Sequence, residues 1–191
     1  MNNASLFETL NKARADKTLV ALYANPDSPR TFVAGWVEAV TSEHVVLRQL
    51  TPHGRYDGYV LQYLERVLRI DTSGRYLERL NFLFTARKES FPVNLLPNLH
   101  AESNLMIEIL AAARRLDLLV AIEIAADEVE VGAVKAVSSD AVTIEVLDLL
   151  GALDGESTAH LEAISEVRCD DERLQSLKLL SRWHQLEPPG W

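Results

Sequence analysis

The chain has little of several features that define common protein classes. One cysteine, Cys169, among 191 residues excludes a disulfide framework and a multi-cysteine zinc site. No apolar run approaches the roughly 18 residues of a membrane-spanning helix, and residues 1–4 lack the charged and apolar regions of a signal peptide. With 19 basic and 28 acidic residues, the formal charge of −9 repels phosphate backbones on average. We therefore expect a globular, cytoplasmic protein that binds neither membrane nor DNA.

Patterns that carry catalysis or metal binding are also missing. The five histidines are scattered, and none of the eight glycines lies in a phosphate-binding loop. Asp57 and Asp154 each precede a glycine, so we interpret them as turn residues rather than as paired catalytic carboxylates. Cys169 is followed by two aspartates, whose charges disfavour a reactive thiolate. We expect no enzymatic activity, no cofactor and no metal.

What the sequence does contain is an internal repeat. Residues 35–80 align without a gap on residues 132–177 at an offset of 97, and 14 of the 46 aligned pairs are identical. Upstream the offset becomes 100, which pairs Leu10 with Leu110 and Arg14 with Arg114. The first copy therefore carries three extra residues, in a proline-containing loop at 25–29. A repeat of this size predicts that one supersecondary unit occurs twice.

Each copy follows the same predicted order: a helix, five short strands and a second helix. In the first copy, helical spacing starts at Leu6 and returns from Tyr76 to Phe84. The alternating apolar runs predict strands at 19–23, 32–42, 45–51, 59–64 and 67–71, with a turn at Asp57-Gly58. The domain prediction is a first repeat at 1–90, a linker at 91–101 and a second repeat at 102–191.

The second predicted strand of each copy begins at a glycine followed by spaced apolar residues. These runs are Gly35-x-Val37-x-x-Val40 with Val45-Val46-Leu47, and Gly132-x-Val134-x-x-Val137 with Val142-Thr143-Ile144. On these residues each copy resembles the Sm-like fold, and the chain is similar to Sm-like proteins of Gram-positive bacteria. The resemblance covers nearly the whole chain. It implies a mainly β fold with flanking helices: two tandem Sm-like (SH3-like) five-stranded bent barrels, each preceded by a short helix.

Sm-like proteins assemble into rings by strand-edge pairing and bind RNA around the pore. Their nucleotide-binding aspartate, six residues after the glycine, is replaced here by Thr41 and Ser138. Their arginine-glycine pair near the fifth strand is replaced by Arg69-Ile70 and Glu166-Val167. The resemblance therefore implies the fold and edge association, and it does not extend to the RNA pocket.

Charge and aromatic residues are divided unevenly between the copies. Residues 1–97 carry 12 basic and 10 acidic residues, whereas residues 98–191 carry 7 and 18, and all tyrosines and phenylalanines lie in the first half. Strand alternation places Tyr59, Leu61 and Tyr63 on the face opposite Leu64, which we expect in the core. The candidate binding residues, for an interface or for RNA, are Arg55, Tyr56, Tyr59, Tyr63, Arg66 and Arg69. Burial under the C-terminal helix is a third interpretation.

Five aligned positions carry charges of opposite sign in the two copies. Arg48, Arg69 and Arg75 align with Glu145, Glu166 and Glu172, while Glu38 and Asp71 align with Lys135 and Arg168. One hypothesis is that these positions meet as complementary pairs around a pseudo-two-fold axis.

The sequence thus predicts a non-enzymatic binding or scaffolding protein that associates through barrel edges, as a homo-oligomer or with a protein partner. One alternative is an RNA-associated protein that binds single-stranded RNA through the Arg/Tyr face of the first repeat. Another is a small-molecule sensor with a pocket between the repeats.

Overall fold

A computed structural model describes residues 3–92, 94–97, 103–124 and 128–186. The chain divides into two compact units, Met1–Leu105 and Met106–Trp191. The helices and strands of unit 1 are α1 (Asn3–Ala15), β1 (Leu19–Tyr23), β2 (Val33–Val40), β3 (His44–Leu50), β4 (Tyr56–Tyr63), β5 (Arg69–Asp71) and α2 (Arg75–Ala86). Those of unit 2 are α3 (Leu105–Arg115), β6 (Leu119–Ile124), β7 (Glu128–Val137), β8 (Ala141–Leu147), β9 (Leu153–His160), β10 (Ile164–Cys169) and α4 (Glu172–Leu186).

The five strands of each unit form an open antiparallel sheet. Their order is β5-β1-β2-β3-β4 in unit 1 and β10-β6-β7-β8-β9 in unit 2, so the first strand of each unit lies between the second and the fifth. In unit 1, Val20 pairs with Gly35 and Leu22 with Ile70. A single 3-10 turn precedes the fifth strand in each unit. The protein is therefore mainly antiparallel β-sheet with four α-helices.

Helices cover both faces of the unit 1 sheet. On one face Leu6 and Leu10 of α1 pack with Val20, Leu22 and other buried residues. On the other face Leu77 and Leu80 of α2 pack with Leu19, Ala21 and Leu50. All five residues of β1 are buried because alternate side chains enter opposite cores. This explains why β1 is a continuous apolar run rather than an alternating one.

Unit 2 repeats part of this arrangement. Leu174 and Leu177 of α4 pack with Leu119, Ala121 and Val131 on one face of the sheet. The apolar positions of α3 are also buried, among them Met106, Ile109, Leu110 and Ala113. The two units therefore bury equivalent helix positions.

Most predicted elements are confirmed, and β1 has the predicted limits. The turn predicted at Asp57-Gly58 is wrong, because both residues lie inside β4. The chain turns earlier, where the amide of Gly54 donates to the carbonyl of Thr51 at 3.0 Å. Gly58 has a φ of 74° next to a shift in the β3–β4 register, as in a β-bulge. Some β-bulges, like some turns, need a residue with positive φ. The Asp-Gly dipeptide alone therefore does not distinguish a bulge from a turn.

The segment predicted as a linker also differs in part. Phe91 packs against Trp36 and Phe84, with ring centroids 5.5 and 5.3 Å apart. Leu95 is fully buried. Residues 93 and 98–101 of the predicted linker lie outside the described residues.

The glycine at the start of the spaced apolar pattern is explained by a close backbone approach. A Cβ atom on Gly35 would collide with the carbonyl oxygen of Arg48, and one on Gly132 would collide with that of Glu145. These oxygens belong to the paired neighbouring strand, so relief requires the strands to move apart. Only glycine allows this approach.

Replacing either glycine with alanine should lower the free energy of unfolding by about 2–3 kcal/mol, because the added methyl overpacks two strand backbones. Urea denaturation of Gly35→Ala and Gly132→Ala measures this loss. Ser139→Ala, at an exposed position, is the control and should change stability by less than about 0.5 kcal/mol. Wild-type stability in both glycine variants would contradict the account.

Candidate interaction surface

Strand β4, which carries Tyr56, Tyr59 and Tyr63, is more buried than its alternating sequence pattern predicts. Tyr59 and Leu61 are both 0% exposed, as is Leu64, and Val60 is 1% exposed. The strand interior is thus buried on both faces, and only its ends remain half-buried, at Tyr56 and Tyr63. Because Tyr59 is closed to solvent, its ring is not available to stack with a nucleic-acid base. Of the three candidate tyrosines, two are left with accessible surface.

The Tyr56 end of β4 belongs to an aromatic cluster of unit 1. The Tyr56 ring lies 5.5 Å from that of Phe91, edge to face, and 6.2 Å from that of Tyr59. The guanidinium of Arg48 lies 5.1 Å from the centre of the Phe91 ring. Aromatic pairs of this geometry stabilise a fold beyond the area they bury. Phe91 thus packs on Tyr56 of β4 and on Phe84 of α2, within unit 1.

The Tyr63 end of β4 holds a second group. The ring of His44 lies 4.6 Å from the ring of Tyr63, and the guanidinium of Arg66 lies 5.7 Å from the same tyrosine. His44 is only 3% exposed. Neither of its ring nitrogens has a hydrogen-bond partner among the described residues. Burial lowers the pKa of His44, an effect that the nearby carboxylate of Glu43 opposes.

Arg69 forms a third group, on β5. Its guanidinium lies 3.7 Å from the centre of the Tyr23 ring and 3.1 Å from the carboxylate of Asp71. The hydroxyl of Tyr23 donates to the same carboxylate at 3.0 Å. Desolvation, followed by the Asp71 hydrogen bond, raises the pKa of Tyr23. Contact with Tyr23 raises the pKa of Arg69. Arg69 is therefore engaged within its own unit.

The six candidate residues do not form one continuous surface. Tyr56 and Tyr63 are seven residues apart on one strand, which corresponds to about 23 Å. Arg55 is exposed in the turn before β4. A strand of nucleic acid bound at Arg66 and Tyr63 would meet one cation and one half-buried ring. A stacking platform needs several accessible rings along one groove.

The charge inversions between the copies fall on ion pairs that lie within each unit. Arg48 pairs with Glu38 in unit 1, and in unit 2 the aligned Glu145 lies 3.8 Å from Lys135. Likewise, Arg69 pairs with Asp71, and the aligned Glu166 pairs with Arg168 at 2.5 Å. Each pair is inverted as a whole, so attraction is preserved in both units. Ion pairs within each unit thereby account for four of the five inversions, and these pairs do not explain the fifth, Arg75 to Glu172.

Several residues of these groups were not singled out from the sequence. Phe91 was assigned to the linker, and His44 was treated as one of five scattered histidines. The confinement of phenylalanine and tyrosine to the first half was the available signal for an aromatic cluster. Nothing local marks His44, since its burial depends on packing against Tyr63.

Potential metal ligands and the single cysteine, Cys169, are the remaining groups whose surroundings bear on chemistry. No group of three or more histidine, cysteine, aspartate or glutamate side chains among them is arranged to hold a metal ion. Cys169 is fully buried, and burial, followed by the charges of Asp170 and Asp171, raises the pKa of its thiol. That thiol is therefore a poor nucleophile. Among the described residues, no helix combines the length and apolar character needed to cross a membrane.

Comparisons with protein-family models, with curated proteins and with solved structures find no match for this chain.

The inverted ion pairs predict a rescue experiment. Arg48→Glu places two carboxylates together at a partly buried site and should cost about 3 kcal/mol of unfolding free energy. Adding Glu38→Lys recreates the arrangement of Lys135 and Glu145, and should restore most of that loss. About 0.5–1 kcal/mol should remain missing, because the cation above the Phe91 ring is gone. Urea denaturation of both single variants and the double variant measures the coupling, and additive losses would contradict local pairing.

Burial of neutral His44 predicts acid sensitivity. The unfolded chain protonates this histidine near its ordinary pKa, whereas the folded chain resists protonation, so stability falls as the pH drops below about 6.5. One such group contributes a slope of at most about 1.4 kcal/mol per pH unit. Unfolding free energies between pH 7 and pH 5 should fall less steeply in His44→Gln than in wild type. The exposed His53→Gln should retain the wild-type slope, and equal slopes in all three proteins would refute the prediction.

Proposed function

We propose that the chain is a non-enzymatic binding or scaffolding protein of the cytoplasm, built from two tandem Sm-like barrels that arose by duplication. It associates through the edges of its sheets, with further copies of itself or with another protein. Its role is to hold protein chains together rather than to transform a substrate.

The arrangement of each unit supports the Sm-like part of this proposal. Both units have a helix followed by five strands in the order fifth-first-second-third-fourth. Both have a glycine in the second strand at the point where the third-strand backbone comes closest. Both have an ion pair at the same aligned positions, with its charges exchanged. The shared strand order and the shared glycine support a duplicated, bent five-stranded fold, and the ion pair supports the alignment of the two copies.

The observation that carries edge association is the exposure of β9, the terminal strand of the unit 2 sheet. Its residues Leu153–His160 are mostly exposed, and its only neighbour in the strand order is β8. An edge strand offers a row of backbone donors and acceptors that pairs with another chain. Natural edges that avoid pairing carry proline, charged side chains or a bulge; β9 has no proline, and its acidic residues Asp154 and Glu156 and its register shift lie in its first half.

Three of the Arg/Tyr residues are engaged within unit 1, which leaves little surface for RNA. Tyr59 is buried, Arg69 is paired with Asp71, and Tyr56 lies against Phe91. The positions aligned with the Sm nucleotide motifs hold Thr41 and Ser138 instead of aspartate. The strand edge is the more accessible binding feature of the chain.

Two adjacent proline substitutions test the edge directly. Successive amides of an antiparallel strand point to opposite sides, so one of Ser157→Pro and Thr158→Pro removes an inward bond to β8 and the other blocks the outer edge. We expect wild-type protein to form species larger than a dimer in sedimentation velocity. The proline variant that keeps the melting temperature closer to wild type should lose those species.

RNA binding is the competing outcome of the same study. A fluorescent single-stranded oligouridine should show no binding at about 50 mM salt. Binding that collapses by about 200 mM salt and is lost in Arg66→Ala would support RNA association and contradict the proposal. Assembly that is unchanged in both proline variants would show that the β9 edge is not used.

A further inference from the structure

Unit 2 exposes an unusual number of large apolar side chains. Seven of them, 41% to 81% exposed, occur in two short segments. The first segment is the β8–β9 turn and the start of β9, and the second is the C-terminal half of α4. The residues are Leu149, Leu150, Leu153, Leu179, Leu180, Trp183 and Leu186, and together they are called the α4 surface.

The two segments are in contact. Gly151 in the turn lies so close to α4 that a Cβ atom there would be 2.9 Å from Cβ of Leu180 and 2.7 Å from the amide nitrogen of Ser181. The ring of His184 donates from Nε2 to the carbonyl of Leu150 at 3.1 Å. The turn leucines therefore lie beside the helix, and the α4 surface is continuous.

Helical spacing places the apolar residues of α4 on one side. Leu179, Trp183 and Leu186 are separated by four and three residues, and Leu180 adjoins Trp183. The cations Lys178 and Arg182 turn away, toward Asp117, with Lys178 Nζ 2.7 Å from its carboxylate. The centre of the α4 surface is thus free of charged side chains, which is characteristic of the core of a protein interface.

At the strand position, the aligned surface of unit 1 is covered by the chain itself. Tyr56 of unit 1 aligns with the exposed Leu153, and the ring of Phe91 covers it. Pro52 and His53 of unit 1 align with Leu149 and Leu150, so the apolar turn is particular to unit 2. Among the described residues of unit 2, Leu153 remains 64% exposed. The first unit thus covers its strand position with Phe91, whereas the second leaves the aligned Leu153 exposed beside the apolar turn.

The size of the α4 surface fits a symmetric contact. Seven side chains with this exposure present on the order of 700 Å² of apolar area, more than the largest patch of a typical monomer. A stable interface uses about 800 Å² from each partner. A two-fold contact brings the same surface from both chains together, with two α4 helices 8–10 Å apart.

We propose that the α4 surface binds the α4 surface of a second copy of this chain, forming a two-fold dimer. This contact is separate from the strand edge. A proline variant of β9 that loses the larger species should still form this dimer, so the two proposals fail independently.

Charge gives the dimer a recognisable salt dependence. Residues 98–191 carry a formal charge of −11, from 7 basic and 18 acidic residues, so two such halves repel when they approach. Added salt screens this repulsion and leaves the apolar contact intact. The dimer should therefore tighten as salt rises, whereas a contact formed by opposite charges would weaken.

The chain offers a matched control for the test. Leu179 on α4 aligns with Phe82 on α2, and the two are 67% and 69% exposed. In sedimentation equilibrium, Leu179→Glu should weaken dimerisation at least tenfold, and Phe82→Glu should leave it unchanged. A wild-type monomer at every concentration, or equal weakening by both variants, would overturn the proposal. In either case another partner would have to cover the α4 surface.

A cysteine cross-link provides a second readout that needs no destabilising charge. The native thiol of Cys169 is buried, so an introduced cysteine is the accessible one. Under mild oxidation, Trp183→Cys should give a disulfide-linked dimer on a non-reducing gel, and Phe82→Cys should dimerise without forming a disulfide. Equal cross-linking of both variants, or none at position 183, would contradict a two-fold contact centred on α4.

Discussion

Burial of β1 on both of its faces is the constraint on which unit 1 depends. Leu19 and Ala21 face α2, while Val20 and Leu22 face α1, so the strand must be apolar at every position. The neighbouring strand β2 approaches β3 so closely at Gly35 that no Cβ atom fits there. The two units differ along their fourth strands, because the interior of β4 is buried whereas β9 is mostly exposed.

The elements that follow from local pattern could be predicted from the sequence, and those that depend on distant packing could not. Strand β1 and the helix positions Leu77 and Leu174 follow from periodicity and are buried as expected. The Asp57-Gly58 dipeptide predicts a turn where the structure has a bulge, because glycine supplies the positive φ in either feature. The burial of Tyr59 and the covering role of Phe91 depend on tertiary contacts that no local pattern encodes.

The two units share one strand order but expose different side chains. Inversion of a whole ion pair, as at Glu38–Arg48 and Lys135–Glu145, changes the sign at each aligned position but keeps the attraction and the summed charge of the pair. In unit 1 the ring of Phe91, after α2, packs on Tyr56, whereas unit 2 exposes leucines around α4. The acidic charge of the second half favours the solubility of this exposed apolar surface.

We propose that this chain works by protein–protein contact and not by binding nucleic acid. The decisive measurement is sedimentation velocity of the purified full chain, recorded at 260 and 280 nm over a hundredfold range of concentration. We expect assembly that grows with concentration and an absorbance ratio typical of protein alone at every boundary. A single monomeric boundary throughout, or a boundary carrying nucleic acid, would contradict it.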